Sequence, residues 1–194
     1  MRWKARSILG RVMQPLTLYT VGHSDRTMAE LLVLLKDAGI TCVVDIRAQP
    51  TSARHPQFNM ESLRAALAED AIVYHWAGRP LGGQRATRPD SPHHSLPESL
   101  RGFADHMDTD IFAKGVAQLL GLARKAPTAI LCAEREPTQC HRNLIADYLV
   151  LQGIEVRHLV RTGETREHAL SPLARTESAR LVYDRASQQS LGIN

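Results

Sequence analysis

Hydrophobic positions along the chain follow two alternating periodicities from about residue 17 onward. Short runs rich in β-branched residues predict buried strands, and segments with apolar residues three or four positions apart predict helices. The predicted strands are Leu16 to Gly22, Thr41 to Arg47, Ala71 to Trp76, Thr128 to Ala133 and Ile154 to Val160. Strands that alternate with helices favour a parallel sheet. We therefore predict a three-layer α/β fold with a mostly parallel five-stranded sheet and helices on both faces.

The predicted helices carry start and stop signals. Thr27 and Glu30 have capping-box spacing, and Gly39 supplies the C-terminal stop of the first helix. Asn59 is a suitable N-cap for a helix that ends at Glu69. Further helices are predicted over Leu100 to Met107, Ile111 to Ala123, Pro137 or Thr138 to Gly153, and Ser171 to Tyr183.

The remaining segments set the domain organisation. Residues 1–15 are predicted to be a basic N-terminal extension, residues 16–186 a single domain and residues 187–194 a tail. Gly78 to Pro97 holds three Gly and four Pro, which predicts a long loop that includes His93 and His94. Apolar positions near the predicted C-terminal helix indicate a possible homodimer contact.

Composition narrows the function classes only slightly. The formal charge of +4 is mild, but Arg strongly outnumbers Lys, which favours anionic ligands such as a small phosphorylated molecule or a nucleic acid. Three cysteines are too few for a disulfide framework and favour a reducing, cytoplasmic location. No apolar stretch is long enough for a membrane span, so no membrane partner is expected.

The junction between the fourth strand and the next helix carries most of the reactive side chains. Cys132 and Glu134 leave the strand, and Cys140, His141 and Arg142 fall in the first turn of the helix. A thiol at a helix N-terminus beside an arginine has a stabilised thiolate. Cys132, Glu134, Cys140 and His141 are therefore candidate catalytic residues, and Arg142 is a candidate substrate-binding residue. The alternative is that these cysteines and the histidine are buried packing residues.

Two other strand ends add polar residues at the same predicted edge of the sheet. His23 and Ser24 follow the first strand, and Asp45 and Arg47 end the second. Ligands of parallel sheets bind outside the carboxyl ends of strands, so these side chains are expected in one pocket. His23 is a candidate catalytic residue, and Ser24, Asp45 and Arg47 are candidate substrate-binding residues. Capping by Ser24 and an Asp45–Arg47 ion pair are the structural alternatives. Cys42, in mid-strand, is expected to pack in the core.

The motifs of this chain resemble those of the family called domain of unknown function 488. The resemblance rests on TVGHS, VVDIR, the PQFN of Pro56 to Asn59, the LGG of Leu81 to Gly83, and the CAE and CHR triplets, and it spans Leu18 to Pro172. It implies a small cytoplasmic α/β protein. The family's motif residues correspond to Gly22, His23, Ser24, Asp45, Arg47, Cys132, Glu134, Cys140, His141 and Arg142.

Three functional hypotheses stay open at this point. The first is an enzyme on a phosphorylated, nucleotide or nucleic-acid substrate, with Cys132 or Cys140 as nucleophile and His23 or His141 as proton carrier. Thr138 stands where a thiol phosphatase would have its arginine, which disfavours a thiol-phosphate intermediate. The second is a nucleotide- or nucleic-acid-binding module without catalysis. The third is a metal site, which the eight-residue spacing of the cysteines disfavours. No particular cofactor is indicated.

Overall fold

The computed structural model describes residues 16–178 and 180–185 and confirms the predicted α/β architecture. The strands of this part of the chain are β1 (Thr17–Gly22), β2 (Cys42–Asp45), β3 (Val73–Trp76), β4 (Thr128–Cys132), β5 (Glu155–Arg161), β6 (Glu164–Glu167), β7 (Ala174–Glu177) and β8 (Arg180–Tyr183). The α-helices are α1 (Met28–Asp37), α2 (Met60–Glu69), α3 (Gly78–Leu81), α4 (Glu98–His106), α5 (Asp110–Ala123) and α6 (His141–Leu151). Single 3₁₀ turns cover Pro56–Phe58 and Pro137–Gln139.

The central sheet has six strands in the order β3-β2-β4-β1-β5-β6. The first five strands of this order run parallel to one another, and β6 is antiparallel to β5. A mostly parallel sheet is confirmed, but the predicted count of five is wrong because it omits β6. The sequence of β6, ETRE, is polar and mostly exposed, so hydrophobic alternation does not mark it.

The register of the parallel strands brings three strand ends to the same edge of the sheet. Gly22 of β1 lies opposite Cys132 of β4, and Asp45 of β2 lies opposite Leu131. Beyond the strands, the amide of His23 donates to the carbonyl oxygen of Cys132 at 3.0 Å. The connections that follow β1, β2 and β4 therefore start side by side.

Alternate residues of the strands belong to two hydrophobic clusters. On β2, Val43 packs with Leu31 of α1 and Leu63 of α2, whereas its neighbours Cys42 and Val44 belong to the cluster that α4, α5 and α6 complete. This alternation is the expected period of a strand buried on both faces. Cys42 is a buried core residue, as predicted.

Helix starts follow the local chemistry of the sequence in most places. The predicted capping box at Thr27 and Glu30 is present at α1. Asn59 precedes α2, but its side-chain oxygen accepts from the Ser52 amide at 2.6 Å instead of capping its own helix. The helix expected from residue 137 or 138 begins later, at His141, because a 3₁₀ turn occupies Pro137–Gln139.

The segment Gly78 to Pro97 is irregular apart from the four-residue helix α3. It packs against the domain rather than extending from it, since His93 is buried and lies 5.8 Å, ring to ring, from Tyr183 of β8. The prediction of a long loop therefore holds for the part after Leu81.

The predicted last helix, Ser171 to Tyr183, is wrong, because this segment holds the antiparallel pair β7 and β8. The Ser171 amide donates to Asp147 of α6 at 2.8 Å, so Ser171 docks the segment onto the domain instead of capping a helix. Leu181, Val182 and Tyr183 are buried, so these apolar positions do not offer the homodimer surface that the predicted helix suggested.

The predicted extension over residues 1–15 and the tail over 187–194 lie outside the described residues. In the part of the chain that is described, every helix is too short or too polar to cross a membrane.

Candidate functional site

The end of β1 lies in very close contact with the connection after β4. A Cβ atom on Gly22 would stand 1.7 Å from the carbonyl oxygen of Glu134, so only glycine fits there. The next residues, His23 and Ser24, continue along this connection, and Ser24 has a φ of 48°, in the left-handed region. A non-glycine residue in this region is strained and is found more often at functional sites than elsewhere.

The end of β2 presents an arginine that a buried carboxylate holds in place. Arg47 Nε donates to Asp45 Oδ1 at 2.9 Å, and an Arg47 terminal nitrogen lies 2.5 Å from Asp45 Oδ2. Tyr74 of β3 donates its hydroxyl to the same carboxylate at 2.8 Å, and burial together with this carboxylate raises the pKa of Tyr74. Asp45 therefore fixes the direction of Arg47 and offsets much of its charge.

His23 is held in its neutral form between these two strand ends. Its Nδ1 lies 3.0 Å from the carbonyl oxygen of Ser24, and its Nε2 lies 3.2 Å from a terminal nitrogen of Arg47. The ring also packs 4.4 Å from that of Phe58. Burial and the Arg47 charge lower the pKa of His23 from 6.5 to about 4. The geometry gives Nδ1 as the protonated nitrogen and Nε2 as the acceptor.

Cys132, Cys140 and His141 form one cluster at the centre of the site. The two sulfurs lie 3.0 Å apart, and each lies 3.7 Å from Nδ1 of His141. Cys140 is the N-cap of α6, where its sulfur accepts from the Arg142 amide at 3.5 Å. The two cysteines, although eight residues apart in sequence, are brought together because the 3₁₀ turn returns the chain to the end of β4.

The two thiols differ in acidity. Burial opposes ionisation of Cys140, but hydrogen bonding with Cys132, the Arg142 charge and the Arg142 amide together lower its pKa. The pKa of Cys132 is raised because its thiol is hydrogen-bonded to Cys140 and because it is buried. Cys140 is thus the stronger acid. In the structure its thiol donates to the Cys132 sulfur at 3.0 Å, and once Cys140 loses its proton the Cys132 thiol becomes the donor to the Cys140 thiolate.

His141 is oriented with its Nδ1 towards the sulfurs. Its Nε2 lies 3.2 Å from the carbonyl oxygen of Ile46, to which it donates, and its ring packs edge to face on Phe103 at 4.9 Å. Gly83 lies against the other side of the ring, where a Cβ would stand 2.5 Å from Nδ1. Because Nε2 carries the hydrogen that is donated to Ile46, Nδ1 of the neutral ring carries none and can accept a hydrogen bond from a thiol.

Arg142 is buried beneath the site instead of facing the cleft. Its terminal nitrogens donate to the carbonyl oxygens of Glu134 and Arg135, the second at 2.6 Å. Its Nε atom is buried without a hydrogen-bond partner in the described part of the chain. The guanidinium therefore holds the connection after β4 in place and contributes positive charge near Cys140.

A cleft of about 1000 Å³ opens over these groups. Seven of the nine predicted site residues line it, and Asp45 and Arg142 stand behind the lining instead. The seven are His23, Ser24, Arg47, Cys132, Glu134, Cys140 and His141.

The family of the chain follows from a match over its central part. The family model described as domain of unknown function DUF488 matches residues 27–149, which is more than half of the chain. The chain belongs to the DUF488 family. The match runs from α1 into α6, as far as residue 149, and includes the cysteine–histidine cluster, whereas β1, with Gly22, precedes it. No curated protein and no solved structure matches this DUF488 chain.

The sequence-based prediction omitted several residues of the cleft. Thr51, Arg54 and His55, from the connection between β2 and α2, line one side, and Gly83 and Gln84 line another. The connection after β2 could have been identified, because it leaves the carboxyl end of a central strand. Gly83 belongs to the LGG motif, whose place in the site only the His141 contact reveals.

The cluster also has the composition of a metal site. The ligand atoms of Cys132, Cys140 and His141 lie within 4.8 Å of one another. Thiolate and imidazole are the ligands that zinc prefers, and a metal-bound histidine usually donates its other nitrogen to a carbonyl, as His141 does to Ile46. Three protein ligands beside an open cleft are typical of a catalytic zinc site.

Proposed function

We propose that this DUF488 protein is an enzyme that uses Cys140 as its nucleophile on a phosphorylated, nucleotide or nucleic-acid substrate bound in the cleft. The observation that carries the proposal is the position of the Cys140 sulfur at the N-terminus of α6, 3.0 Å from Cys132 and 3.7 Å from His141 Nδ1. A thiol, a hydrogen-bond donor and a base within reach of one another are the parts that nucleophilic catalysis needs.

In this mechanism the neighbours of Cys140 have separate tasks. His141 Nδ1 takes the proton from the Cys140 thiol, and Cys132 donates a hydrogen bond that stabilises the resulting thiolate. Arg142 stabilises the same negative charge through the protein, without touching the substrate. The pKa of His23 is lowered to about 4, so it stays neutral at pH 7, and we assign it the positioning of Arg47.

The anionic part of the substrate is assigned to the side of the cleft formed by the connection after β2. Arg47 lies there with its direction fixed by Asp45, and Arg54 is exposed at the rim. Glu134, from the connection after β4, also lines the cleft and would repel an anion. Asp45 occupies Nε and one terminal nitrogen of Arg47, so Arg47 can offer an anion only its other terminal nitrogen. The bidentate geometry that suits a phosphate group is assigned to the exposed Arg54.

The test is turnover of a panel of phosphoesters, nucleotides and short oligonucleotides by the full chain. Cys140→Ser is expected to lower kcat/KM at least about 100-fold, because a hydroxyl is a much weaker nucleophile than a thiolate at pH 7. Cys42→Ser is the matched control, since Cys42 is a buried cysteine of β2 that pairs with Thr128, at the opposite end of β4 from Cys132. Turnover that survives both Cys140→Ser and Cys132→Ser would remove the thiol from the mechanism.

A metal-dependent enzyme is the second candidate, favoured by the arrangement of Cys132, Cys140 and His141 described above. It ranks below the thiol mechanism because of the sulfur spacing. In a tetrahedral zinc site with Zn–S bonds of about 2.3 Å, two sulfurs lie about 3.8 Å apart. The sulfurs here are 3.0 Å apart and would have to separate. Elemental analysis of the purified chain, of Cys140→Ser and of Cys42→Ser decides between the thiol mechanism and the metal-dependent enzyme. Zinc at one atom per chain in the wild type and in Cys42→Ser, but not in Cys140→Ser, favours the metal-dependent enzyme.

Binding of nucleic acid without catalysis is the remaining alternative. It predicts retention of single- or double-stranded nucleic acid that weakens steeply with salt, together with no turnover of the panel. Lack of retention at low ionic strength excludes it. A cytoplasmic location and a homodimer stay predictions from the sequence.

A further inference from the structure

Two thiols in contact at the bottom of an open cleft are placed to react with each other as well as with a substrate. The sulfurs of Cys132 and Cys140 are 3.0 Å apart, and both residues line the cleft. A disulfide bond is about 2.05 Å long, so closure needs an approach of about 1 Å, within the range of side-chain rotation.

We propose that Cys140 and Cys132 form a hydroperoxide-reactive dithiol, in which Cys140 is oxidised first and Cys132 resolves it to a disulfide. The inference rests on the nucleophilic role that the proposed function assigns to Cys140 and on the contact between the two sulfurs, but it needs no bound substrate. It adds a second reaction, the two-electron reduction of a peroxide, at the same pair of sulfurs.

The steps balance as follows. The Cys140 thiolate attacks one oxygen of the hydroperoxide, the O–O bond breaks, and the departing alkoxide takes the proton that His141 Nδ1 had accepted. Cys140 is then a sulfenic acid, and the peroxide has become an alcohol or water. The Cys132 sulfur attacks the Cys140 sulfur, the S–O bond breaks, and hydroxide leaves with the Cys132 proton as water. A dithiol reductant returns both thiols by exchange and is itself oxidised to a disulfide.

The surroundings of the pair favour this order of events. Cys140 has the N-cap position, the Arg142 amide within 3.5 Å and the Arg142 guanidinium behind it, all of which stabilise an anionic sulfur. Cys132 ends β4 and has no helix terminus of its own. The third cysteine, Cys42, is buried in β2 beside Thr128, four residues before Cys132 along β4, so it is too remote to compete.

The chemistry is tested on the reduced, metal-free full chain with hydrogen peroxide and cumene hydroperoxide. The expected product loses two hydrogen masses, and peptide mapping joins Cys132 to Cys140. Cys132→Ser is expected to stop at the sulfenic acid, trapped as a dimedone adduct on Cys140. Cys140→Ser is expected to slow thiol oxidation at least about tenfold, and Cys42→Ala to leave it unchanged. With dithiothreitol present, the wild type consumes peroxide over many turnovers.

Several results would overturn the inference. They are a disulfide that includes Cys42, a dimedone adduct on wild-type Cys140 equal to that on Cys132→Ser, or oxidation no faster than that of the urea-unfolded chain. Circular dichroism identifies a variant that fails to fold, and Cys132→Ala then replaces Cys132→Ser. The outcome is separate from the proposed function: a disulfide without turnover of the panel contradicts only that function, and turnover without a disulfide contradicts only the dithiol.

Discussion

Two buried polar clusters, each containing histidine, include a residue of α6, and only one of them lines the cleft. His141 in the first turn lies against two sulfurs at the bottom of the cleft. Farther along, Asp147 accepts from His168 at 2.9 Å and from the hydroxyl of Tyr183 at 3.0 Å. His168 in turn lies 3.0 Å from His158, whose Nδ1 receives the hydroxyl of Thr20 at 2.7 Å. We call this second set, from Thr20 to Tyr183, the buried relay.

The two clusters differ in how many of their polar side-chain atoms have a hydrogen-bond partner. Every polar side-chain atom of the buried relay has a partner, and none of its residues lines the cleft. In the cysteine–histidine cluster, the hydrogen-bond partners of the sulfurs among residues 16–178 and 180–185 are each other, one weak amide contact and the Nδ1 of His141. We therefore expect the buried relay to contribute mainly to stability, because its hydrogen bonds are complete, and the cysteine–histidine cluster to contribute mainly to the proposed reactivity.

Removing the carboxylate of the buried relay is expected to have the largest effect on stability. Asp147 is fully buried and accepts from His168, Ser171 and Tyr183. Asp147→Ala leaves these donors unpaired and is expected to lower the free energy of unfolding by about 3 kcal/mol. Urea denaturation measures this loss, and the alkylation rate of Cys140 in the native state should not change.

The control for Asp147→Ala is Asp70→Ala, which removes only an exposed ion pair with Lys36 and should cost less than about 1 kcal/mol. Should Asp147→Ala prevent folding, Tyr183→Phe removes a single donor and is expected to cost about 1 kcal/mol. Equal losses in Asp147→Ala and Asp70→Ala, or a fall in Cys140 alkylation, would show that the two clusters are not separate in function.

Crowding the cysteine–histidine cluster is expected to have the next largest effect on the free energy of unfolding. A Cβ on Gly83 would stand 2.5 Å from Nδ1 of His141, so Gly83→Ala forces the ring away from the sulfurs. Overpacking of this kind costs about 2 kcal/mol, and the alkylation rate of Cys140 should fall as well. Gly121→Ala is the control, because its Cβ meets nothing within 4 Å in α5, and it should stabilise by about 0.5 kcal/mol. An alkylation rate unchanged in Gly83→Ala would contradict the role of His141.

The sequence predicts the cysteine–histidine cluster but does not predict the buried relay, and the reason is physical. Cys132, Cys140 and His141 lie within ten residues, at a strand end followed by a helix start, and such a local pattern can be read directly. His23 and Arg47 follow from one rule, that parallel strands end at one edge.

The buried relay depends on contacts between distant segments. Thr20 and His158 are 138 residues apart and meet only through the pairing of β1 with β5. Ser171 and Pro172 have the residue types of a helix start and so predict a helix. In the structure the Ser171 amide instead donates to the distant Asp147, and the segment that follows pairs as β7 and β8. The direction of Arg142, towards carbonyl groups instead of the cleft, is likewise a tertiary property.

The buried relay should also make stability depend on pH. Burial, and then the charges of His168, Arg142 and Arg166, lower the pKa of His158 from 6.5 to about 3. Below pH 6.5, His158 binds a proton in the unfolded chain but stays neutral in the folded chain. The contribution of His158 to the free energy of unfolding is therefore complete above pH 6.5 and decreases as the pH falls towards 3. Between pH 7 and pH 5 this residue should account for a loss of up to about 2 kcal/mol.

The measurement is urea denaturation of the wild type and of His158→Gln at pH 7 and at pH 5. His158→Gln keeps a donor for His168 but cannot take up a proton, so its stability should decrease less between the two pH values. Equal decreases in both proteins would mean that His158 is already protonated in the folded state.

Removing the Cys140 sulfur is expected to have the smallest effect on stability and the largest effect on the alkylation rate. Cys140→Ala loses one thiol–thiol hydrogen bond and a little buried surface, but it also removes an acidic thiol from a site that is buried. These contributions oppose each other, so the free energy of unfolding should change by about 1 kcal/mol or less. Alkylation with iodoacetamide should lose its fast phase, which Cys42→Ala retains. If Cys140→Ala instead costs as much as Asp147→Ala, the cysteine–histidine cluster is a structural element of the same kind as the buried relay.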